Sequence, residues 1–245
     1  MAKARYRPPL AALQHRLLVL GVLGATAGGV AQLGKHTWRG AFATLGVAVG
    51  AHLGVVGLVS LVSFAWFRWL TRGLRFRNIE RLLDALSLSG DEILLDVGTG
   101  DGVVAIAAAK RLVRGSVIAI DDWQRPHGGG TPSADVARAN AASEGVATRV
   151  DVRTLPLDQL ALPDASVDVV VACFSLHHLD RTTRERALLE MARVLRHDGR
   201  LLAAEPVGRA HIAETLARAG LEVQHESRTF PRWLFGWVSA RKAIR

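Results

Sequence analysis

Two long apolar stretches open the chain. Leu17–Gly34 runs 18 residues without a charge, and Ala41–Phe67 runs 27 residues in which His52 is the one ionisable side chain. A helix needs roughly 20 apolar residues to cross a hydrocarbon core of about 30 Å, so the second stretch spans with room and the first just spans. The alternatives for the first are a buried core helix or a secretory signal, with Ala25-Thr26-Ala27 as a small-residue cleavage site. The polar connection Lys35–Arg39 is short enough to predict a helical hairpin. Gly24/Gly28 and Gly46/Gly50/Gly54 recur at four-residue spacing, where small residues let helix backbones approach closely in lipid.

After the hairpin the pattern changes. Asn78–Leu86 places Ile79, Leu82, Leu83 and Leu86 on one face of a short helix, and Ser89-Gly90-Asp91 ends it. Strand-like and helix-like runs then alternate: Ile93–Val97 and Val103–Val113, Val117–Ile120 and Ser133–Glu144, then Arg149–Arg153. Val167–Phe174 and Arg181–Leu195 follow, then Leu201–Ala204 and Arg209–Ala219, and finally Leu221–Ser227 and Trp233–Ala240. Near-continuous apolar strands alternating with helices predict an α/β fold: a doubly wound, Rossmann-like, mostly parallel seven-stranded sheet covered on both faces. The expected division is residues 1–72 as an anchor with two transmembrane helices and residues 73–245 as the α/β domain. Ligands in such sheets bind beyond the C-terminal strand ends, near the point where strand order reverses.

Charge sharpens this division. The net charge of +9 suggests nucleic acid until it is split along the chain. Residues 1–81 hold 11 Lys/Arg and one acid, Glu80, a balance of +10, whereas residues 82–245 hold 20 Lys/Arg and 21 Asp/Glu, a balance of −1. The basicity belongs to the N-terminal third, so no nucleic-acid partner is expected. Lys3, Arg5, Arg7 and Arg16 precede the hairpin, and Arg68, Arg72, Arg75, Arg77 and Arg81 follow it, against Lys35 and Arg39 at its tip. The positive-inside rule then puts both ends, and the α/β domain, in the cytoplasm. Trp66 and Trp69 beside Arg68 suit an interfacial aromatic belt. The single Cys173 excludes a disulfide framework and a four-thiolate zinc site, and no metal is expected.

The local chemistry centres on Leu94-Leu95-Asp96-Val97-Gly98-Thr99-Gly100-Asp101-Gly102, an apolar strand running into an acid, a glycine turn and an alanine-rich helix. Glycines there allow a sharp turn and close approach to a ligand. A dinucleotide loop would place its third glycine one residue later, and Asp101 would repel a phosphate, so a ligand without phosphate at this turn is favoured. The next strand ends at Asp121, about twenty residues on, where a carboxylate can accept both hydroxyls of a ribose.

These segments resemble the class I S-adenosylmethionine-dependent methyltransferases, of the type 11 and type 25 domain kind. The resemblance covers roughly residues 78–243. It rests on Leu95–Gly102, the acidic end of the second strand, Leu162-Pro163-Asp164-Ala165-Ser166-Val167-Asp168-Val169-Val170, Ser175-Leu176-His177-His178-Leu179, and Arg193–Leu202. It implies S-adenosylmethionine as cofactor, with the glycine loop (Asp96, Gly98, Thr99, Gly100) under its methionine part and Asp121 on its ribose. It also implies that Cys173 and Phe174, at the end of the fourth strand, line the sulfonium. One position departs from the family. Where an acid usually contacts the adenine amino group this chain has Leu155 and Pro156, and Asp158 is the nearest carboxylate that could substitute.

By the same resemblance, a His after the fourth strand serves some of these enzymes as a base, oriented by a carboxylate from the next strand. His177 is the first candidate, His178 the second, and Glu205 the matching acid. Trp123, Arg125 and His127 fall in an insertion that suits a lid or substrate wall. Phe230, Trp233, Phe235 and Trp237 cluster near the C-terminus. The expected function is a membrane-anchored methyltransferase acting on a small-molecule, lipid or quinone-like acceptor. The alternative is a non-catalytic cofactor-binding or scaffold protein, and an aminopropyl transferase would need an acidic polyamine site that the sequence does not offer. Neither the acceptor atom nor the oligomeric state is specified by these motifs.

Overall fold

The computed structural model describes residues 11–34, 41–124, 133–228 and 236–243. The chain divides into two compact units, one within Arg7–Arg77 and the other within Asn78–Arg245. The Lys35–Arg39 tip, Arg125 and His127, and Phe230, Trp233 and Phe235 lie outside the described residues.

The first unit pairs helix α1 (Ala11–Gly34) with helix α2 (Ala41–Ala85). Their backbones meet at glycines. A Cβ on Gly24 would stand 2.9 Å from the Gly57 Cα, one on Gly57 would stand 2.3 Å from the Ala25 nitrogen, and one on Gly21 would stand 2.6 Å from the Leu61 side chain. Of the glycines read from the sequence, Gly24 packs closely against Gly57, which the four-residue spacing did not single out. Branched side chains face outward: Leu23, Val55, Leu58 and Val62 are each about 60% exposed. Among the described residues one stretch, Ala48–Trp66, is long and apolar enough to cross a membrane, and His15–Ala27 is apolar but shorter.

Asn78–Leu86, expected as a separate helix, is mostly the C-terminal end of the 45-residue α2. No proline separates it from the preceding apolar run, so nothing in the backbone chemistry stops the helix there.

The second unit is a seven-stranded sheet in the order β3-β2-β1-β4-β5-β7-β6. Its strands are β1 (Ile93–Val97), β2 (Ser116–Asp121), β3 (Val150–Thr154), β4 (Val167–Cys173), β5 (Leu195–Ala204), β6 (Leu221–Arg228) and β7 (Gly236–Lys242). All neighbours are parallel except β7, which runs antiparallel to β5 and β6. The helices are α3 (Val103–Arg111), α4 (Ala134–Ser143), α5 (Arg181–Val194) and α6 (Arg209–Arg218).

Alternate residues of the central strands feed two core layers, because strand side chains point to opposite faces. Leu95, Val97, Val170 and Ala172 pack with Leu188, Met191, Ile212 and Leu216 of α5 and α6. Leu94, Val169, Val171 and Leu202 pack with Ile106 and Ala109 of α3, Ala137 of α4, and Ile79, Leu82 and Leu83 of α2. The order reverses between β1 and β4, so the crevice expected for a ligand opens beyond Val97 and Cys173.

Candidate active site

The glycine loop leaves β1 under tight constraint. Gly98 (φ +78°) donates its amide to the Ile120 carbonyl at 2.7 Å, and the Thr99 amide donates to the same oxygen at 3.0 Å. A Cβ on Gly98 would stand 2.1 Å from the Ser175 Cβ, so only glycine lets the β1 and β4 ends approach this closely. Ser175 completes the lock by donating its hydroxyl to the Val97 carbonyl at 2.8 Å. Gly100 (φ +53°) differs: nothing among the described residues lies within 4 Å of where its Cβ would be. That open space on a left-handed turn is a cradle that a ligand can enter.

Asp96 and Thr99 brace this loop from below. The Asp96 carboxylate, 1% exposed, accepts from the Thr99 hydroxyl at 2.7 Å and from the Ala105 amide at 3.0 Å, which ties it to the first turn of α3. Burial pushes the Asp96 carboxyl up to about 7, opposed by those two hydrogen bonds and reinforced by the nearby Asp121 charge. A folded-state pKa raised above the ordinary 3.8 means that the native state holds this proton more tightly than the unfolded chain does. Its stabilisation is therefore complete below about pH 4 and is lost as pH rises through about 7. Asp96→Asn, which cannot ionise, should melt above the parent protein at pH 8 by roughly 2–4 kcal/mol of stability. By about pH 4 that advantage should have shrunk to less than about 1 kcal/mol in thermal melts.

Asp121 sits at the C-terminal end of β2, 2% exposed. One oxygen accepts from the Gly100 amide and the other from the Trp123 amide, both at 2.9 Å. A carboxylate oxygen has two lone pairs, so each keeps acceptor capacity toward the cradle. Asp122 instead accepts from the Gln124 amide at 3.1 Å, a turn contact. Trp123, expected in a loose insertion, is half-buried and donates its indole N–H to the Thr154 hydroxyl at 2.8 Å.

Beyond β4, Leu176–His178 forms one 3₁₀ turn that delivers His177 to Glu205, just past β5. The Glu205 carboxylate is 1% exposed and collects four donors. Oε1 accepts the Ser175 and Leu176 amides at 2.9 and 2.8 Å. Oε2 accepts the His177 amide at 3.3 Å and lies 2.7 Å from His177 Nδ1. With Nδ1–H donating to this carboxylate, Nε2 presents a lone pair. Phe174 (φ +56°) sets its ring edge-on to His177 with centroids 6.1 Å apart, and the exposed His178 ring lies 3.9 Å from His177. The predicted His177–Glu205 pair is thus formed, with Cys173 half-buried at the strand end beside it.

Asp158 is held elsewhere: its carboxylate pairs with Arg186 of α5 at 2.9 Å. Leu155 stands next to Asp121 instead, donating its amide to the Asp121 carbonyl at 3.1 Å. Ser175 was not assigned a role in the site from sequence, and Trp123 only as part of a lid or substrate wall. Their contacts are made across strands, and no local spacing encodes them.

Residues 95–203 match the family model described as "Methyltransferase domain". The chain is 36% identical over 155 residues to a 27-O-demethylrifamycin SV methyltransferase of Amycolatopsis mediterranei, covering 59% of this chain and 52% of that protein. It is 31% identical over 138 residues to a demethylmenaquinone methyltransferase of Thermus thermophilus, covering 56% of this chain and 57% of that protein. The chain spans about half the length of these curated relatives. A SAM-dependent methyltransferase from Aquifex aeolicus shares the fold, with a TM-score of 0.56 at 22% identity over 66% of this chain and 88% of that one. The matched segment takes in the glycine loop and strands β1 to β5, and the sheet is of the fold that the Aquifex aeolicus protein shares.

Proposed function

We propose that the protein transfers a methyl group from S-adenosylmethionine to a small, amphiphilic acceptor held at a membrane, a lipid or quinone-like molecule. The observation that carries the reading is the His177–Glu205 pair beside the cradle at the β1–β4 switch point. The residues fit the cofactor: Gly100 opens space, Gly98 permits the close turn, and Asp121 keeps lone pairs for ribose hydroxyls. Cys173 and Phe174 border the reacting end. When bound, S-adenosylmethionine supplies an electrophilic methyl group on a sulfonium.

The chain's own work is alignment and proton removal. His177 Nε2 takes the acceptor's proton, and Glu205 holds the ring in the tautomer with Nδ1 protonated and stabilises the imidazolium that forms. Asp96 and Thr99 act through the loop they brace, and His178 flanks His177 as the second candidate for the base. The named relatives, by their names, methylate demethylrifamycin and demethylmenaquinone, both small molecules, which supports an acceptor of that size.

The membrane part rests on the outward-facing aliphatic side chains of α1 and α2 and on the flanking basic residues. The full-length protein should stay in the pellet on alkaline carbonate extraction. A reporter fused after Arg245 should report a cytoplasmic location, and one inserted within Lys35–Arg39 an external one. Release by carbonate contradicts the anchor.

A second reading is a protein that binds the cofactor without catalysis. Leu155 and Pro156 at the usual adenine-contact position, and Asp158 engaged by Arg186, favour it. Calorimetric binding together with assay of S-adenosylhomocysteine release separates the two: turnover supports transfer, and binding without turnover supports the second reading.

A further inference from the structure

We propose that Ser175 is a positioning residue for methyl transfer: its hydroxyl fixes the His177–Glu205 pair against the glycine loop that cradles the cofactor. The inference rests on the methyltransferase reading of this site and adds a residue that acts through His177 rather than on the reacting atoms.

The ladders of the sheet stop short of the site. The last paired residues of β1 and β4 are Val97 and Ala172, and those of β4 and β5 are Cys173 and Ala204. One more backbone bond follows, from the Phe174 amide to the Ala204 carbonyl at 2.9 Å. Beyond these pairs the strands part and the crevice opens, so the loop after Val97 and the turn after Phe174 are held by side chains. Ser175 makes both connections. Its hydroxyl donates at 2.8 Å to the Val97 carbonyl, where the glycine loop departs. Its amide donates at 2.9 Å to Glu205 Oε1, and Glu205 Oε2 lies 2.7 Å from His177 Nδ1.

A serine just ahead of a turn ordinarily aims its hydroxyl at the backbone amides of that turn. Ser175 precedes the Leu176–His178 turn, yet no such cap bond forms among the described residues. Glu205 takes the Leu176 and His177 amides instead, which frees the hydroxyl for Val97, 78 residues away in the chain. The fit is close. Ser175 is 4% exposed, and a Cβ on Gly98 would stand 2.1 Å from the Ser175 Cβ. In Ser175→Ala the Val97 carbonyl loses this donor while the backbone amides keep their hold on Glu205. The base and its carboxylate then stay paired but are no longer fixed against the loop. A displacement of about 1 Å in a group that must align with reacting atoms can cost about 10²-fold in rate.

The test is a double-mutant cycle in membranes containing the full-length parent, Ser175→Ala, His177→Ala or the double variant, supplied with S-adenosylmethionine below the melting temperature of every variant. S-adenosylhomocysteine release is read by mass spectrometry against membranes lacking the protein. Protein in excess of cofactor keeps release readable after the fall expected of His177→Ala. Calorimetry on each full-length protein in dodecyl maltoside gives S-adenosylhomocysteine affinity. Ser175→Ala should release about 10–100-fold less than the parent, with affinity within about three-fold. In the His177→Ala background the same substitution should change release by less than about three-fold, because no base is left to position. A serine with a merely structural role would lower release by the same factor in both backgrounds, and that result overturns the proposal. Parent-like release by Ser175→Ala, or a loss of affinity that matches the loss of release, overturns it too. Binding without release by the parent would instead overturn the methyltransferase reading.

Discussion

Replacing Asp121 with alanine should weaken S-adenosylmethionine binding by one to two orders of magnitude, roughly 1.5–3 kcal/mol for charge-assisted hydrogen bonds. The carboxylate has two duties. It offers lone pairs to a ribose, and it holds the Gly100 and Trp123 amides that shape the cradle. Asp121→Asn should fall between alanine and the parent, because an amide has one accepting oxygen rather than two. Asp122→Ala should change affinity less than three-fold, or about 0.7 kcal/mol, because Asp122 accepts from the Gln124 amide of its own turn rather than from the glycine loop. Isothermal calorimetry decides, and equal effects at the two positions would remove the ribose assignment.

The second large effect is expected at His177. Alanine there should lower kcat by about 10²–10⁴-fold while cofactor affinity stays close to that of the parent. Glu205→Gln should lower kcat and stability together. Glu205 accepts the Ser175, Leu176 and His177 amides as well as the His177 ring, and a buried glutamine can receive only part of that set. Orphaned buried amides cost about 1–3 kcal/mol each, so a loss of roughly 2–4 kcal/mol should appear in denaturant titrations. His178→Ala with the larger kcat effect would transfer the base assignment to His178.

The strand–helix alternation was legible because β1 and β4 are apolar on both faces, a pattern that only a covered parallel sheet produces. The loop at Asp96–Gly102 was legible because glycine at positive φ leaves a local mark. The His177–Glu205 pairing followed from a motif resemblance, since two residues 28 apart carry no periodic signal of contact. What the sequence could not specify was which partner each group would find. Asp158 was a plausible adenine contact by position, but α5 brings Arg186 to it. Gly24 was a packing residue by spacing, yet its partner Gly57 depends on how far α1 slides along α2. Asn78–Leu86 read as its own helix because its apolar face differs from the all-apolar run before it. The change marks what the helix packs against, and the backbone itself does not break there.

The most direct measurement of the central claim is incubation of membranes containing the full-length protein with methyl-labelled S-adenosylmethionine, followed by solvent extraction and assay of S-adenosylhomocysteine. Label should enter the solvent-soluble fraction in step with S-adenosylhomocysteine release, and both should fall together in His177→Ala membranes. Cofactor binding with no S-adenosylhomocysteine released would contradict the account and leave a binding protein in its place.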